Sequence, residues 1–361
     1  MSAAQTDFQT PWQLTRRRFL RNRLAVIGLV VVGVLYGIAL FADVIAPYGP
    51  GTRSERIHAP PQRLHLVGAD GLHLRPFVHP LVMVRDPQTT EVLSGEDTAV
   101  AQTVRLFVLG EPYHFLGLIP SRLHLFGVDG GGTIHLLGTD AEGRDVFSRL
   151  VHGTRISLSI GLVGVLLSFV IGMAMGAMAG YFGGWTDAVI MRLIEIIRTF
   201  PSIPLWMALS AALPATWTPV QVYLGITVVL SLIGWTGLAR ELRGKILALR
   251  AEDMVTAARL YGASPTRIMA RHLLPACTSH IIVSLTMAIP AMILGETALS
   301  FLGLGLSGPV ASWGVMLKDA QSVQTVNLHP WLLVPALPVI LTVLAFNLLG
   351  DGLRDAADPH A

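Results

Sequence analysis

Long apolar runs separated by short charged clusters dominate the chain. Arg155 to Asp187 encloses 31 uncharged residues, and Arg198 to Glu241 encloses another 41 apart from Arg240. About 20 apolar residues suffice for a helix to span a bilayer. The pattern predicts six spans, at or near Leu24–Ala42, Ile156–Ala179, Ala188–Leu213, Val220–Leu238, Ala276–Leu299 and Trp331–Leu349. The third and fourth are separated at Leu213–Pro219 (LPATWTP), where two prolines end helices. The first run is read as a retained span. Its 19-residue uncharged core exceeds the roughly 7–15 residues of a signal-peptide core, and no small-x-small cleavage pattern follows before Pro47.

Composition strengthens that reading. Apolar residues make up 52% of the 361, charged residues 14%, and mean hydropathy is +0.59. Soluble chains average roughly 25% charged residues, so an ordinary cytosolic enzyme and a disordered chain are both excluded. The single cysteine, Cys277, leaves no internal disulfide and no CxxC site. A net charge of +3 with no basic, aromatic-interleaved patch gives no sign of nucleic-acid binding.

Basic residues set the expected orientation. Arg16, Arg17, Arg18, Arg21 and Arg23 precede the first span, and Arg240–Arg271 carries seven basic residues. Both termini and that loop are therefore expected in the cytoplasm, with Pro47–Thr154 outside. Four units follow: a tail plus first span (1–46), an extracytoplasmic segment (47–154), five further spans (155–350) and a tail (351–361).

Gly172, Gly176 and Gly180 repeat every fourth residue, a small-residue face that admits a neighbouring helix closely. Gly33 and Gly37 do the same on the first span. Either face serves packing within the chain or a subunit interface. Arg192, Glu195 and Arg198 have helical spacing and pair along one face, at an interface or in a polar pathway. Glu296 stands alone near the outer end of the fifth span, as a packing residue or a proton-relay carboxylate.

Glu252–Cys277 carries the densest local signals. Asp253–Leu260 is predicted as a short helix with an acidic start. Gly262 is placed to end it in a left-handed conformation. Ser264 then offers an N-cap and Pro265 an N1 residue for a second helix, which Pro275 is expected to end.

This segment resembles the EAA loop of permease subunits of bacterial ABC importers, whose pattern is E-A-A, three residues, G, nine residues, I-x-L-P. Ala257, Ala258, Gly262, Leu274 and Pro275 fall at the pattern's spacing, whereas Thr256 replaces its glutamate and His272 its isoleucine. The resemblance makes Asp253, one turn earlier, the expected partial substitute for the missing acid. The stretches RRRFLRNRLAVIGLVVV, LFADVIAPYGP, LLGTDAEGRDVFSRLVHGTRISLSIG, GETALSFLGLG, SWGVML and AFNLLGDGLRDAADP resemble the C-type permease subunit of dipeptide and oligopeptide importers.

That resemblance implies the type I ABC importer permease fold: an all-α, six-helix polytopic membrane protein in the bacterial inner membrane. It implies a related B-type permease partner, two cytoplasmic ATPases docked on the EAA loops, and an extracytoplasmic binding protein. Residues 252–275 become the coupling loop, with Asp253, Thr256, Ala257, Ala258, Arg259, Gly262, Leu274 and Pro275 as its site residues. This chain has no G-x-x-x-x-G-K-[ST] loop. It is thus expected to be non-catalytic and to bind no cofactor, with ATP and Mg held by the partner ATPases. Di- or oligopeptides lead as cargo. Nickel complexes and oligosaccharides remain open, and an ion-coupled transporter using Glu195 and Glu296 is the reading from another class.

Between Ala59–Pro61 and Leu137–Asp140 an additional segment intervenes. It is bounded by near-repeats of [LI]-H-L-x-G-x-D beginning at Leu64, Leu123 and Ile134. Alternating stretches such as VRLFVL and short Gly/Asp/Pro turns predict a β-rich insertion. Eight of the twelve histidines lie in Pro47–Thr154, but without HxH or HExxH spacing, so no metal site is expected. Docking of the binding protein and capping of the permease mouth are its two open roles.

Overall fold

The computed structural model describes residues 11–68, 71–85, 92–128, 132–306, 308 and 310–357. Asp70 and Asp129 of the near-repeats, and residues 1–10 and 358–361 of the two tails, lie outside the described residues. Helices α1 (Pro11–Arg21), α2 (Arg23–Leu40) and α3 (Ala42–Ile45) lead into six strands. These are β1 (His65–Gly68), β2 (Gly71–Val78), β3 (Leu81–Arg85), β4 (Val92–Glu96), β5 (Gln102–Phe115) and β6 (Ile119–Val128). Then come α4 (Val146–Phe182), α5 (Gly184–Thr199), α6 (Ser202–Ala211), α7 (Pro219–Leu249), α8 (Asp253–Leu260) and α9 (Pro265–Ile268). After a π-helical turn, Met269–Leu273, follow α10 (Leu274–Ala276), α11 (Thr278–Phe301), α12 (Trp313–Lys318), α13 (Val323–Leu328) and α14 (Ala336–Ala357).

Among the described residues, five helical segments are long and apolar enough to cross a membrane: α2, α4, α7, α11 and Pro330–Ala357. The single third span expected near Ala188–Leu213 is instead two helices, α5 and α6. Pro201 causes the break. It donates no backbone N–H, and it holds Phe200 extended at φ −82°, ψ 135°. Two other helices outrun their expected spans. The 37 residues of α4 measure about 55 Å, well beyond the roughly 30 Å of a hydrocarbon core. Helix α7 continues to Leu249, so Arg240–Lys245 lie on a helix rather than in a loop.

Local chemistry explains where these helices begin. The Asp145 carboxylate accepts the Ser148 amide at 2.7 Å and caps α4. Thr218 and Gln221 form a reciprocal capping box at the start of α7, with Pro219 as its first residue. Close helix approach then builds the core. A Cβ on Gly172, Gly176 or Gly180 of α4 would lie 2.9, 2.7 or 2.9 Å from the carbonyl oxygens of Trp235, Ala239 and Arg243 on α7. A Cβ on Gly28 of α2 would meet the Ala345 carbonyl of α14 at 2.6 Å. Gly33 and Gly37, by contrast, have nothing within 4 Å of a Cβ.

The insertion is β-rich. One antiparallel sheet has the order β1-β2-β5-β6, and β3 and β4 form a separate hairpin. β5 and β6 pair from Val104↔Val128 to Phe115↔Ile119. The near-repeat histidines occupy unlike places. His65 faces Glu96 at 3.2 Å, His124 Nδ1 lies 2.6 Å from the Ala46 carbonyl, and His135 Nδ1 lies 3.0 Å from Asp145. The insertion sits at one end of the bundle. α1, the end of α14 and the 252–275 loop gather at the other, where Phe19 packs with Ala356 and Val255 with Ile246.

Candidate functional site

The 252–275 segment folds as a helical hairpin held by three buried apolar anchors. Val255, Ile268 and Leu273 are fully buried among Ala177 and Tyr181 of α4 and Leu242 and Ile246 of α7. Gly262 ends α8 at φ +73°, and the Ala263 amide donates to the Ala258 carbonyl at 3.0 Å. The Ser264 hydroxyl accepts the Arg267 amide at 3.4 Å ahead of Pro265, so the second helix starts where its sequence indicates. Its end does not. The chain stays helical past Pro275 to Ala276, and the break falls at Cys277. The wider π-helical turn at Met269–Leu273 makes room for the proline ring, which would otherwise crowd a preceding carbonyl.

Anchoring one face of α8 exposes the other. Asp253, Thr256, Ala257 and Arg259 are exposed, while Ala258 and Leu274 are half-buried and Pro275 is exposed. Leu260 is 84% exposed and Tyr261 93%, with Met254 also open. A surface of Met254, Ala257, Leu260 and Tyr261 therefore projects from the end of the bundle. Arg259 reaches back over the Tyr181 ring at 5.1 Å, and Arg250 Nη1 donates to the Gly180 and Tyr181 carbonyls at 3.3 Å each. Arg243 is ion-paired with Asp187 of α5 and bonds it through Nη2 at 2.5 Å. The hairpin thus rests on a platform tied to α4, α5 and α7.

The charged residues expected near the spans do not converge. Arg192 and Glu195 form an exposed pair at 3.4 Å on α5, and Arg198 is exposed beyond them. Glu296 lies fully buried on α11, away from that pair. Its carboxylate accepts hydrogen bonds from the hydroxyls of Ser312 (2.7 Å), Ser300 (2.8 Å) and Ser157 (3.3 Å). Each serine in turn accepts a backbone amide, from Val315, Leu306 and Trp313 respectively. Glu296 is the hub that joins α4, α11 and the Leu306–Trp313 connection.

A second polar knot closes the insertion end. Asp140 accepts the Arg144 guanidinium at 2.8 Å and is ion-paired with the buried Arg149, which also reaches Asp319 at 3.1 Å. Burial pushes the Asp140 carboxyl up, but Arg149 and Arg144 outweigh it and hold it below the usual carboxylate range. Among the described residues no group of three or more His, Cys, Asp or Glu side chains comes together in a metal-holding arrangement.

Residues 172–361 match the family described as the binding-protein-dependent transport system inner membrane component. Residues 10–61 match the N-terminal transmembrane domain of oligopeptide transport permease C. The glutathione transport system permease protein GsiD of Escherichia coli is 40% identical over 351 residues, 97% of this chain and 91% of its own. The chain belongs to this permease family. The oligopeptide permease OppC of Bacillus subtilis is 30% identical over 349 residues, covering 96% of this permease and 89% of its own length. The dipeptide permease DppC of Bacillus subtilis is 43% identical over 227 residues, 62% of this permease and 68% of its own. Membership makes the protein a multi-pass inner-membrane component of an ABC transporter, a class whose ATPase resides in separate chains.

The permease also displays residues that sequence reasoning left out. Met254, Leu260 and Tyr261 are the large exposed apolar side chains around α8, yet the site residues expected from the sequence there were Asp253, Thr256, Ala257, Ala258, Arg259 and Gly262. Helical spacing was the available signal for two of them: Met254, Ala257 and Tyr261, the residue that caps α8, fall three and four apart, whereas Leu260 lies off that series. Asp187, Tyr181 and Arg250 had none, because their role depends on α4, α5 and α7 meeting.

Proposed function

We propose that this permease carries di- or oligopeptides inward, paired with a related B-type permease, two cytoplasmic ATPases and an extracytoplasmic binding protein. In this reading both termini and the 252–275 hairpin face the cytoplasm, and α5 and α6 together form a broken sixth span. Residues 47–154 and 155–350 keep distinct roles, although α4 runs unbroken across their boundary. The peptide cargo rests on the relatives' names, which specify glutathione, dipeptides and oligopeptides. ATP and Mg reside on the ATPases.

One observation carries the coupling assignment: α8 and its C-cap present exposed Leu260 and Tyr261 while Val255 locks the opposite face into the bundle. Large apolar groups held rigidly in water mark a docking surface. ATPase closure would push α8 as a unit. Gly262 fixes its angle to α9, and the π-helical turn passes the displacement to α11. Two arrangements of the spans, favoured by different nucleotide states, then alternate access to the pathway.

Purification of the tagged chain from its own membranes, followed by mass spectrometry, tests this. The parent should bring a second permease and one or two P-loop ATPases. The double substitution Leu260→Asp with Tyr261→Asp should leave a folded chain that has lost the ATPases. ATPases retained at the parental yield would sink the docking assignment. A parent that purifies alone, with transport intact in ATP-free vesicles, would sink the whole reading.

A further inference from the structure

We infer that the tip of the β5–β6 hairpin is a membrane anchor, inserting Leu116, Leu118 and Ile119 into the phospholipid interface beside the end of α2. This rests on α2 and α4 spanning the bilayer. The edge of the hydrocarbon layer can be located on both helices. On the first span, Leu24–Ala42 is uncharged and Asp43 is the first charge beyond it; on α4, residues 156–186 are uncharged and Arg155 is the first charge before them. Asp43 and Arg155 meet at 2.9 Å, and Arg155 also donates to the Ala39 carbonyl at 2.8 Å. The pair therefore marks one plane, where hydrocarbon gives way to headgroups.

The hairpin tip is tied to that plane. The Leu116 amide donates to Asp43 Oδ2 at 3.3 Å, and Phe115 stacks on Phe41 with ring centroids 6.0 Å apart. Leu118 is 81% exposed, and Ile119 and Leu116 are also open to their surroundings. No charged residue occurs from Pro112 to Ser121, where the sequence reads PYHFLGLIPS. Tyr113 supplies the amphipathic ring that membrane interfaces favour, with its hydroxyl donating to the Leu123 carbonyl at 2.6 Å. The apolar tip lies beside the exposed side of α2, which presents Val34 and Leu40, and beside its exposed C-cap Phe41.

The turn itself is telling. Leu116 and Gly117 hold φ at +51° and +75°. Glycine or asparagine occupies such positions without strain, whereas a leucine is costly there. A strained, exposed leucine is wasted in water but effective in lipid. The rest of the sheet lies elsewhere: β2 pairs with β5 only at Gln102 and Thr103, roughly 40 Å along the strand from the tip. Leu74 on β2 is fully exposed, so it provides a water-facing comparison.

Spin-label accessibility in the full chain tests the contact. Cys277→Ser supplies a cysteine-free background, into which Leu118→Cys, Leu116→Cys, Val34→Cys or Leu74→Cys is introduced. Each labelled chain is placed in phosphatidylethanolamine/phosphatidylglycerol nanodiscs and probed with oxygen and with a water-soluble nickel chelate. The ratio of oxygen to nickel accessibility should be severalfold higher at positions 118 and 116 than at 74, and highest at 34. A nickel-accessible label at 118, with 34 still lipid-exposed, overturns the anchor while leaving the span intact. A label at 118 shielded from both reagents means that protein covers the tip, which also overturns it. A nickel-accessible label at 34 would overturn the span and the anchor together.

Discussion

The Ser312 hydroxyl donates to the buried Glu296 carboxylate at 2.7 Å and accepts the Val315 amide at 3.2 Å, so one side chain both satisfies a carboxylate and caps α12. Ser300 and Ser157 repeat the arrangement. Glu296→Ala would leave three buried hydroxyls without their acceptor. We expect a loss of about 2–5 kcal/mol, read as a clearly lowered unfolding midpoint in detergent. Glu296→Gln keeps an acceptor oxygen and should lose less. An alanine variant that melts with the parent would remove Glu296 from this structural role.

Gly262 gives a cleaner separation of space from conformation. Nothing lies within 4 Å of a Cβ there, yet its φ is +73°. Gly262→Val therefore strains the backbone by about 1–2 kcal/mol without any clash, and should tilt α8. Peptide uptake should fall while ATPase activity in the assembled complex persists. Gly262→Asn, which tolerates the left-handed region, should retain coupling. Normal coupled uptake in the valine variant would count against the coupling role of the loop.

The two glycine stripes should respond oppositely. Gly176→Leu drives a side chain into the Ala239 backbone, 2.7 Å from where the Cβ would sit. Backbone cannot yield as a side chain does, so α4 and α7 must part and the monodisperse yield in detergent should collapse. Gly33 is exposed and a Cβ there meets nothing within 4 Å, so Gly33→Leu should leave the yield of the isolated chain unchanged. Equal losses in both variants would refute this assignment of faces.

Acidification should loosen the insertion end in two steps. His58 and His329 stack with ring centroids 4.0 Å apart, and burial pushes both below the ordinary histidine value, with Asp140 and Asp319 opposing the shift at His58. The folded state thus prefers them neutral, and stability falls as pH drops below about 6.5, where the unfolded imidazoles protonate. Asp140 is held below its ordinary value, so its contribution is complete above about pH 4 and fades only as pH falls through the lower folded value. Hydrogen exchange at residues 58–62 and 329–333 should therefore rise between pH 7.5 and 5. His329→Gln should flatten that rise, and a flat profile in the parent would refute the sensitivity.

Much of this permease was legible in its residues because the governing rules are local. Uncharged length marked α2, α4, α7, α11 and the C-terminal span. Left-handed Gly262 and the Ser264-Pro265 pair set the turn of the 252–275 hairpin, and β-alternation announced the insertion. The break between α5 and α6 was also written locally, in Pro201, but the unbroken apolar run around it masked the signal. Other features had no local trace. Glu296 looked solitary because Ser157 is 139 positions away and becomes its neighbour only when α4 and α11 pack. Gly33 and Gly176 carry the same spacing pattern, yet only α7 lying against α4 decides which stripe is filled. Likewise Leu116 and Leu118 were ordinary hairpin residues until Asp43 brought them to the membrane edge. Caps, breaks and span lengths depend on neighbours along the chain, so the sequence determines them. Buried partners and exposed faces depend on which helices approach one another, and that was decided by the tertiary structure.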